Sequence, residues 1–129
     1  MYRAFIRYTR WAIKKPGFTG MKRPGVRISK SARPGKKLVA VFSYADGRTK
    51  TVHFGCATCG DFVAWSKVDR SLADLKRRSY IARHGALKSR EDWGNLTSAG
   101  ALSRWILWEK RTLPAAIAAY RRRWMASAR

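Results

Sequence analysis

From Lys37 to Tyr44 the chain runs Lys-Leu-Val-Ala-Val-Phe-Ser-Tyr, rich in β-formers, and then reaches Ala45-Asp46-Gly47-Arg48. Asp-Gly between two such runs is a strong short-range hairpin signal. The return strand is predicted over Thr49 to Phe54, with Val52 and Phe54 on one face and Thr51 and His53 on the other. Helical spacing takes over downstream. Trp65, Val68, Leu72, Leu75 and Ala82 lie close to one stripe, which predicts a helix from about 67 to 83, stopped by Gly85. A polar link over 86–97 carries Trp93 as an anchor. Thr97 or Ser98 then caps a helix to Glu109, whose Ala101, Leu102, Trp105, Ile106 and Trp108 cover most of its circumference. Such a helix is buried on more than one side. Thr112 caps a third helix with Pro114 in its first turn, and Leu113, Ala116, Ile117, Tyr120 and Trp124 form its core stripe.

The pattern upstream of the hairpin is different. Pro16-Gly17, Pro24-Gly25 and Pro34-Gly35 punctuate residues 15–36, with Lys22, Arg23, Arg27, Lys30 and Arg33 between them. This reads as an extended basic arm that could hold one short strand at Val26–Ser29. Ahead of it, Tyr2, Phe5, Ile6, Thr9 and Ile13 fall at helical spacing among Arg3, Arg7, Arg10 and Lys14. A mitochondrial transit peptide is also basic and amphipathic, but it is usually rich in Ser, and the first Ser here is Ser29. A surface helix is the reading preferred. The expected architecture is α+β: a small antiparallel hairpin sheet with about three helices (37–129), preceded by a basic N-terminal helix and arm (1–36).

Charge is what points to a partner. The 129 residues hold 29 Lys and Arg against 7 Asp and Glu, a net charge of +22, and the first acid is Asp46. Self-repulsion of this size is usually tolerated because a polyanion neutralises it. At 46% hydrophobic, with six Trp, five Tyr and five Phe, the chain is too apolar for a disordered polycation. Its richest apolar stretch, Ala101 to Trp108, is broken by Ser103 and Arg104, far short of the roughly 20 residues of a membrane span. No secretory signal is read, and two cysteines do not make an extracellular disulfide framework. The expected setting is a virion or the inside of a cell.

Candidate chemistry is sparse. Cys56-Ala57-Thr58-Cys59 at the hairpin end has the spacing with which zinc knuckles begin, and His53 could serve as a third ligand. A fourth ligand is missing, so two incidental thiols are the preferred reading over zinc or a redox pair, and no metal or cofactor is expected. Glu91-Asp92 is a better fit to solvated or Arg-paired carboxylates than to an acid/base dyad. No phosphate loop or nucleophile triad is present, so an enzyme is not expected. Basic clusters with aromatics between them suit a surface that tracks phosphates. The helices over 98–109 and 113–125 could suggest a helix-turn-helix, in which the second helix reads bases from its N-terminal residues. Here those residues are Leu113, Pro114, Ala115 and Ala116, which can read little, so the expected mode is nonspecific. The electrostatic contacts are assigned to Lys22, Arg23, Arg27, Arg77, Arg78, Arg121, Arg122 and Arg123.

Four ordered motifs carry a resemblance. They are Thr51-Val52-His53-Phe54-Gly55, Arg78-Ser79-Tyr80-Ile81-Ala82-Arg83-His84, Arg90-Glu91-Asp92-Trp93, and Thr97 through Trp108. Over roughly residues 37–123 the chain resembles a family of small uncharacterised proteins encoded by large double-stranded DNA viruses of algae and protists. The resemblance supplies a viral context and no catalytic residues. It also implies that zinc is not the family's common device, since members usually have a cysteine-free stretch where Cys56 and Cys59 stand. The resulting expectation is a nonspecific nucleic-acid-binding protein packaged with a viral genome. The alternative is a minor capsid-associated structural protein that meets acidic protein neighbours through its basic arm.

Overall fold

In the computed structural model, which describes residues 24–85 and 91–127, strand alternation and helix caps account for most of the architecture. β2 (Lys36–Ser43) is the central strand of a three-stranded antiparallel sheet, flanked by β1 (Gly25–Lys30) and β3 (Thr49–Cys56). The predicted hairpin is β2–β3. Its turn is closed by Tyr44 and Arg48, and Gly47 takes a φ of +92°, a conformation cheap only for glycine. Leu38 lies opposite Phe54 and Ala40 opposite Val52, so the apolar residues of both strands share one face.

The short strand expected at Val26–Ser29 is present as β1, and it joins the sheet as a third strand rather than standing alone in an arm. β1 pairs with β2 from Gly25↔Ser43 to Lys30↔Leu38, which brings Val26 and Ile28 to the apolar face. The sheet therefore begins inside residues 1–36, the segment assigned above to an arm. The Pro34-Gly35 pair, with Gly35 at φ +82°, is the turn between β1 and β2. The amphipathic stretch before Lys22 lies outside the described residues.

Two further expectations are refined. The helix expected over about 67–83 is α2 (Arg70–His84), and a separate short helix, α1 (Phe62–Ser66), precedes it. Asp61 and Asp69 explain the division, because each side chain accepts a backbone N–H of the following turn, from Ala64 and Leu72 respectively. Ser98 caps α3 (Ala99–Leu102) as expected, but the chain then winds through a π-helical turn, Ser103–Leu107, and ends there rather than at Glu109. Thr112 accepts a hydrogen bond from the Ala115 N–H at the start of α4 (Leu113–Ser127). The fold is α+β, a three-stranded antiparallel sheet with four helices.

The core lies between the inner face of the sheet and the layer made by α3, the π turn and α4. Phe42, Phe54, Leu102, Ile106 and Tyr120 are its largest fully buried side chains. Trp124 packs on Phe42 at 5.4 Å and on Tyr44 at 6.1 Å between ring centroids, which fastens α4 across the hairpin. The Tyr120 hydroxyl, held in this apolar setting, donates to the Leu96 carbonyl at 2.6 Å. Burial raises its pKa well above that of a free phenol.

At Gly55 the sheet lies close against Leu107 of the π turn. Gly55 has a φ of +85°, and a Cβ there would stand 2.8 Å from Leu107 Cδ1 and 3.2 Å from Lys37 Cβ. Gly47 has a similar φ but open space around it. Gly55→Ala is therefore expected to cost about 1–3 kcal/mol in chemical denaturation, and Gly47→Ala about 1 kcal/mol. Equal losses at the two sites would mean that Leu107 moves aside freely and that this contact does not constrain the fold.

Candidate nucleic-acid interface

All seven carboxylates have partners within the molecule. Asp46 pairs with Arg48 at 2.6 Å beside the hairpin turn, where the Arg48 backbone N–H holds the carboxyl below the usual range. Asp61, besides capping α1, forms an ion pair with Lys37. Asp69 caps α2, and Asp92 accepts the Gly94 N–H. Asp74 holds Arg111 at 2.7 Å. Glu91 joins His84 Nδ1 through one oxygen and accepts from the Trp93 indole N–H through the other at 2.9 Å. Glu109 Oε1 takes both Arg104 at 2.8 Å and Arg77 at 3.0 Å.

Cations outnumber these acids, and the surplus lies at the surface. Arg27, Lys30, Arg33, Lys36, Arg70, Arg78, Arg121 and Arg122 are exposed and have no carboxylate partner among the described residues. Arg27 stands opposite Val41 on the outer face of the sheet. Arg121 reaches the same strand from α4, donating from Nε to the Val26 carbonyl at 3.2 Å. The structure thus brings Arg27 and Arg121 to neighbouring positions along β1. Arg122 and Arg123 follow on α4, and the Arg123 guanidinium lies 3.8 Å from the Trp105 ring centroid.

The other assigned residues divide. Arg78 is exposed on α2. Arg77 is turned inward, donating to the Trp108 carbonyl at 2.8 Å as well as to Glu109, so it joins α2 to the chain that follows the π turn. Lys22 and Arg23 lie outside the described residues. Lys30, Arg33 and Lys36 were not among the assigned contacts although they flank a Pro-Gly turn, a signal that such cations face solvent. The first turn of α4, from Leu113 to Ala116, offers no side-chain donor for reading bases.

Arg104 is the cation that sequence reasoning missed. It is 8% exposed, its Nη1 bonds Glu109 and the Trp108 carbonyl, and its Nε is buried without a partner. Its guanidinium also lies 4.5 Å from the Trp105 ring centroid and 5.2 Å from that of Trp93. Burial pushes the Glu109 carboxyl up, but hydrogen bonds and charge from Arg104 and Arg77 outweigh it and hold the group below its ordinary value.

A cleft of about 520 Å³ opens between the hairpin end and α2, lined by Lys37, Asp61, Tyr80, Arg83, His84 and Glu91 among others. Tyr80 stacks on Trp108 at 4.3 Å and on His84 at 4.4 Å. Burial, then the nearby Glu91 charge, pushes its phenol up to about 12. Cys56 and Cys59, at the cleft mouth, are joined as a disulfide, which corrects the expectation of two incidental thiols. The correction also removes them as zinc ligands, because neither sulfur is a thiolate. His53 bonds Ser31 Oγ through Nδ1 at 2.7 Å. Among the described residues no cluster of three or more His, Cys, Asp or Glu could hold a metal ion. No helix among them is long and apolar enough to cross a membrane.

Comparison with protein-family models, curated proteins and solved structures gives no significant match for this chain.

Glu109→Gln leaves Arg104 buried beside a neutral amide and is expected to cost about 2 kcal/mol at pH 7. The folded carboxyl has the lower pKa, so its stabilisation is complete above the ordinary value of 4.5 and disappears as pH falls through the folded value. Denaturation of the variant is expected to depend less on pH across this acid range than that of the wild type. Equal stability of the two proteins at pH 7 would show that Arg104 does not need this carboxylate.

Proposed function

We propose that this protein binds nucleic acid nonspecifically through electrostatic contacts and, following its resemblance to proteins of large DNA viruses, is packaged with a viral genome. One observation carries the reading: every carboxylate is engaged inside the molecule, while exposed guanidinium and ammonium groups on β1, its turn and α4 have none. Such groups release the counterions condensed on a phosphate backbone, and that release drives association. Phosphate contacts position a protein without reading sequence. The absence of donors from the first turn of α4 supports the same mode.

The test is affinity for unrelated duplex DNAs over a salt series with the full chain. Similar affinity for every sequence is expected, falling steeply with log salt. Arg27→Gln with Arg122→Gln is expected to flatten the slope by about 2, roughly one phosphate for each cation. Lys22→Gln with Arg23→Gln should act in the same direction. Weak binding at about 50 mM salt would overturn the reading and favour a structural protein held between acidic protein neighbours.

A further inference from the structure

The large apolar side chains that stand exposed among the described residues are Val68, at 75%, and Leu75, at 52%. Both belong to the α1–α2 unit. Leu75 lines a groove of about 390 Å³ together with Leu72, Trp65, Gly60, Lys76 and Arg83. Leu72 and Leu75, three residues apart on one helix, share a face and form the apolar floor. Gly60 leaves room for the Trp65 indole, whose N–H edge a Cβ at that position would strike. Lys76 Nζ lies 4.6 Å from the Trp65 ring centroid. The Trp65 indole N–H has no hydrogen-bond acceptor among the described residues. The groove therefore combines an apolar floor with a polar margin of Ser79, the Trp65 indole N–H and two cations, Lys76 and Arg83, and no carboxylate lines it.

We propose that this groove binds an acidic amphipathic segment of a partner protein, with apolar residues at helical spacing and Asp or Glu beside them. Charge complementarity selects this occupant over the others. A second copy of the chain brings a net charge of +22, and its seven acids already have partners. The chain's own first 23 residues are amphipathic but contain no acid. Nucleic acid satisfies the cations and gains little from a floor of leucine. Carboxylates beside buried apolar anchors satisfy both parts of the groove. The inference goes beyond nucleic-acid binding and uses none of the cations assigned to it.

The test uses the full chain and a synthetic, fluorescein-labelled helical peptide with Leu every four residues among Glu. A second peptide has each Leu replaced by Ser at the same charge. Fluorescence anisotropy at about 150 mM salt is expected to show the Leu peptide binding at least about tenfold more tightly. Leu75→Ser, a neutral change at an exposed position, is expected to abolish that preference and to leave the melting temperature and duplex affinity unaltered. Equal binding of the two peptides would overturn the proposal, since charge alone would then account for it. Retention of the preference by Leu75→Ser would overturn it equally. Because duplex affinity is read separately, failure of nucleic-acid binding leaves this result interpretable.

Discussion

The joint at Trp108 and Glu109 is what the rest of the structure depends on. Two acceptors adjacent in the chain, the Trp108 carbonyl and the Glu109 carboxylate, gather Arg77 from α2 and Arg104 from the π turn. The Trp108 ring meets Tyr80 of α2, and two residues after Glu109 the Arg111 side chain reaches Asp74 and Ser66. α1 and α2 pack on one another and are fastened to the sheet-and-helix core through this stretch and through the ion pair of Asp61 with Lys37 of β2. The fastening combines ion pairs with the stacked rings of Tyr80 and Trp108. A guanidinium brought out of water is tolerated only beside a carboxylate or comparable acceptors, and a chain with seven acids has few such places.

The same scarcity explains what could be read from the sequence. The hairpin was legible because Asp46-Gly47 acts locally, and Ser98 and Thr112 marked helix starts for the same reason. A short strand at Val26–Ser29 was legible, but its place in the sheet was obscured because Arg27 and Lys30 interrupt a strand with only Val26 and Ile28 facing inward, and Pro-Gly pairs at both ends imitate an arm. The division between α1 and α2 rests on Asp69, one residue in a periodic stripe that otherwise continues across it. Arg77 and Arg104 were hidden more deeply. In a chain where cations occur everywhere, a basic residue has no local mark of burial. Glu109 distinguishes the two only once α2 and the π turn have been brought together.

Exposed cations without partners also set the conditions under which this fold is most stable. Their mutual repulsion opposes compaction, and any polyanion that binds the folded chain more tightly than the unfolded one shifts the equilibrium toward the fold. Stability and binding then report on the same charges. Exposed Arg27 and Arg122 have no role in the core, whereas Arg77 and Arg104 hold it together. A census of basic residues would count all four alike, although only the exposed pair can meet an external phosphate.

Charge alone does not explain the α1–α2 surface. If polyanion neutralisation were the sole requirement there, Leu75 and Val68 could be polar without loss to the core, since both lie in solvent. Leaving them apolar beside Trp65 and Lys76 makes a surface that rewards a ligand with both anionic and apolar groups. A surface of this kind would discriminate among polyanions, whereas exposed cations without an apolar floor, as on β1 and α4, would not. The proposed phosphate-contacting cations and the proposed groove share no residue, so a substitution in one leaves the other intact.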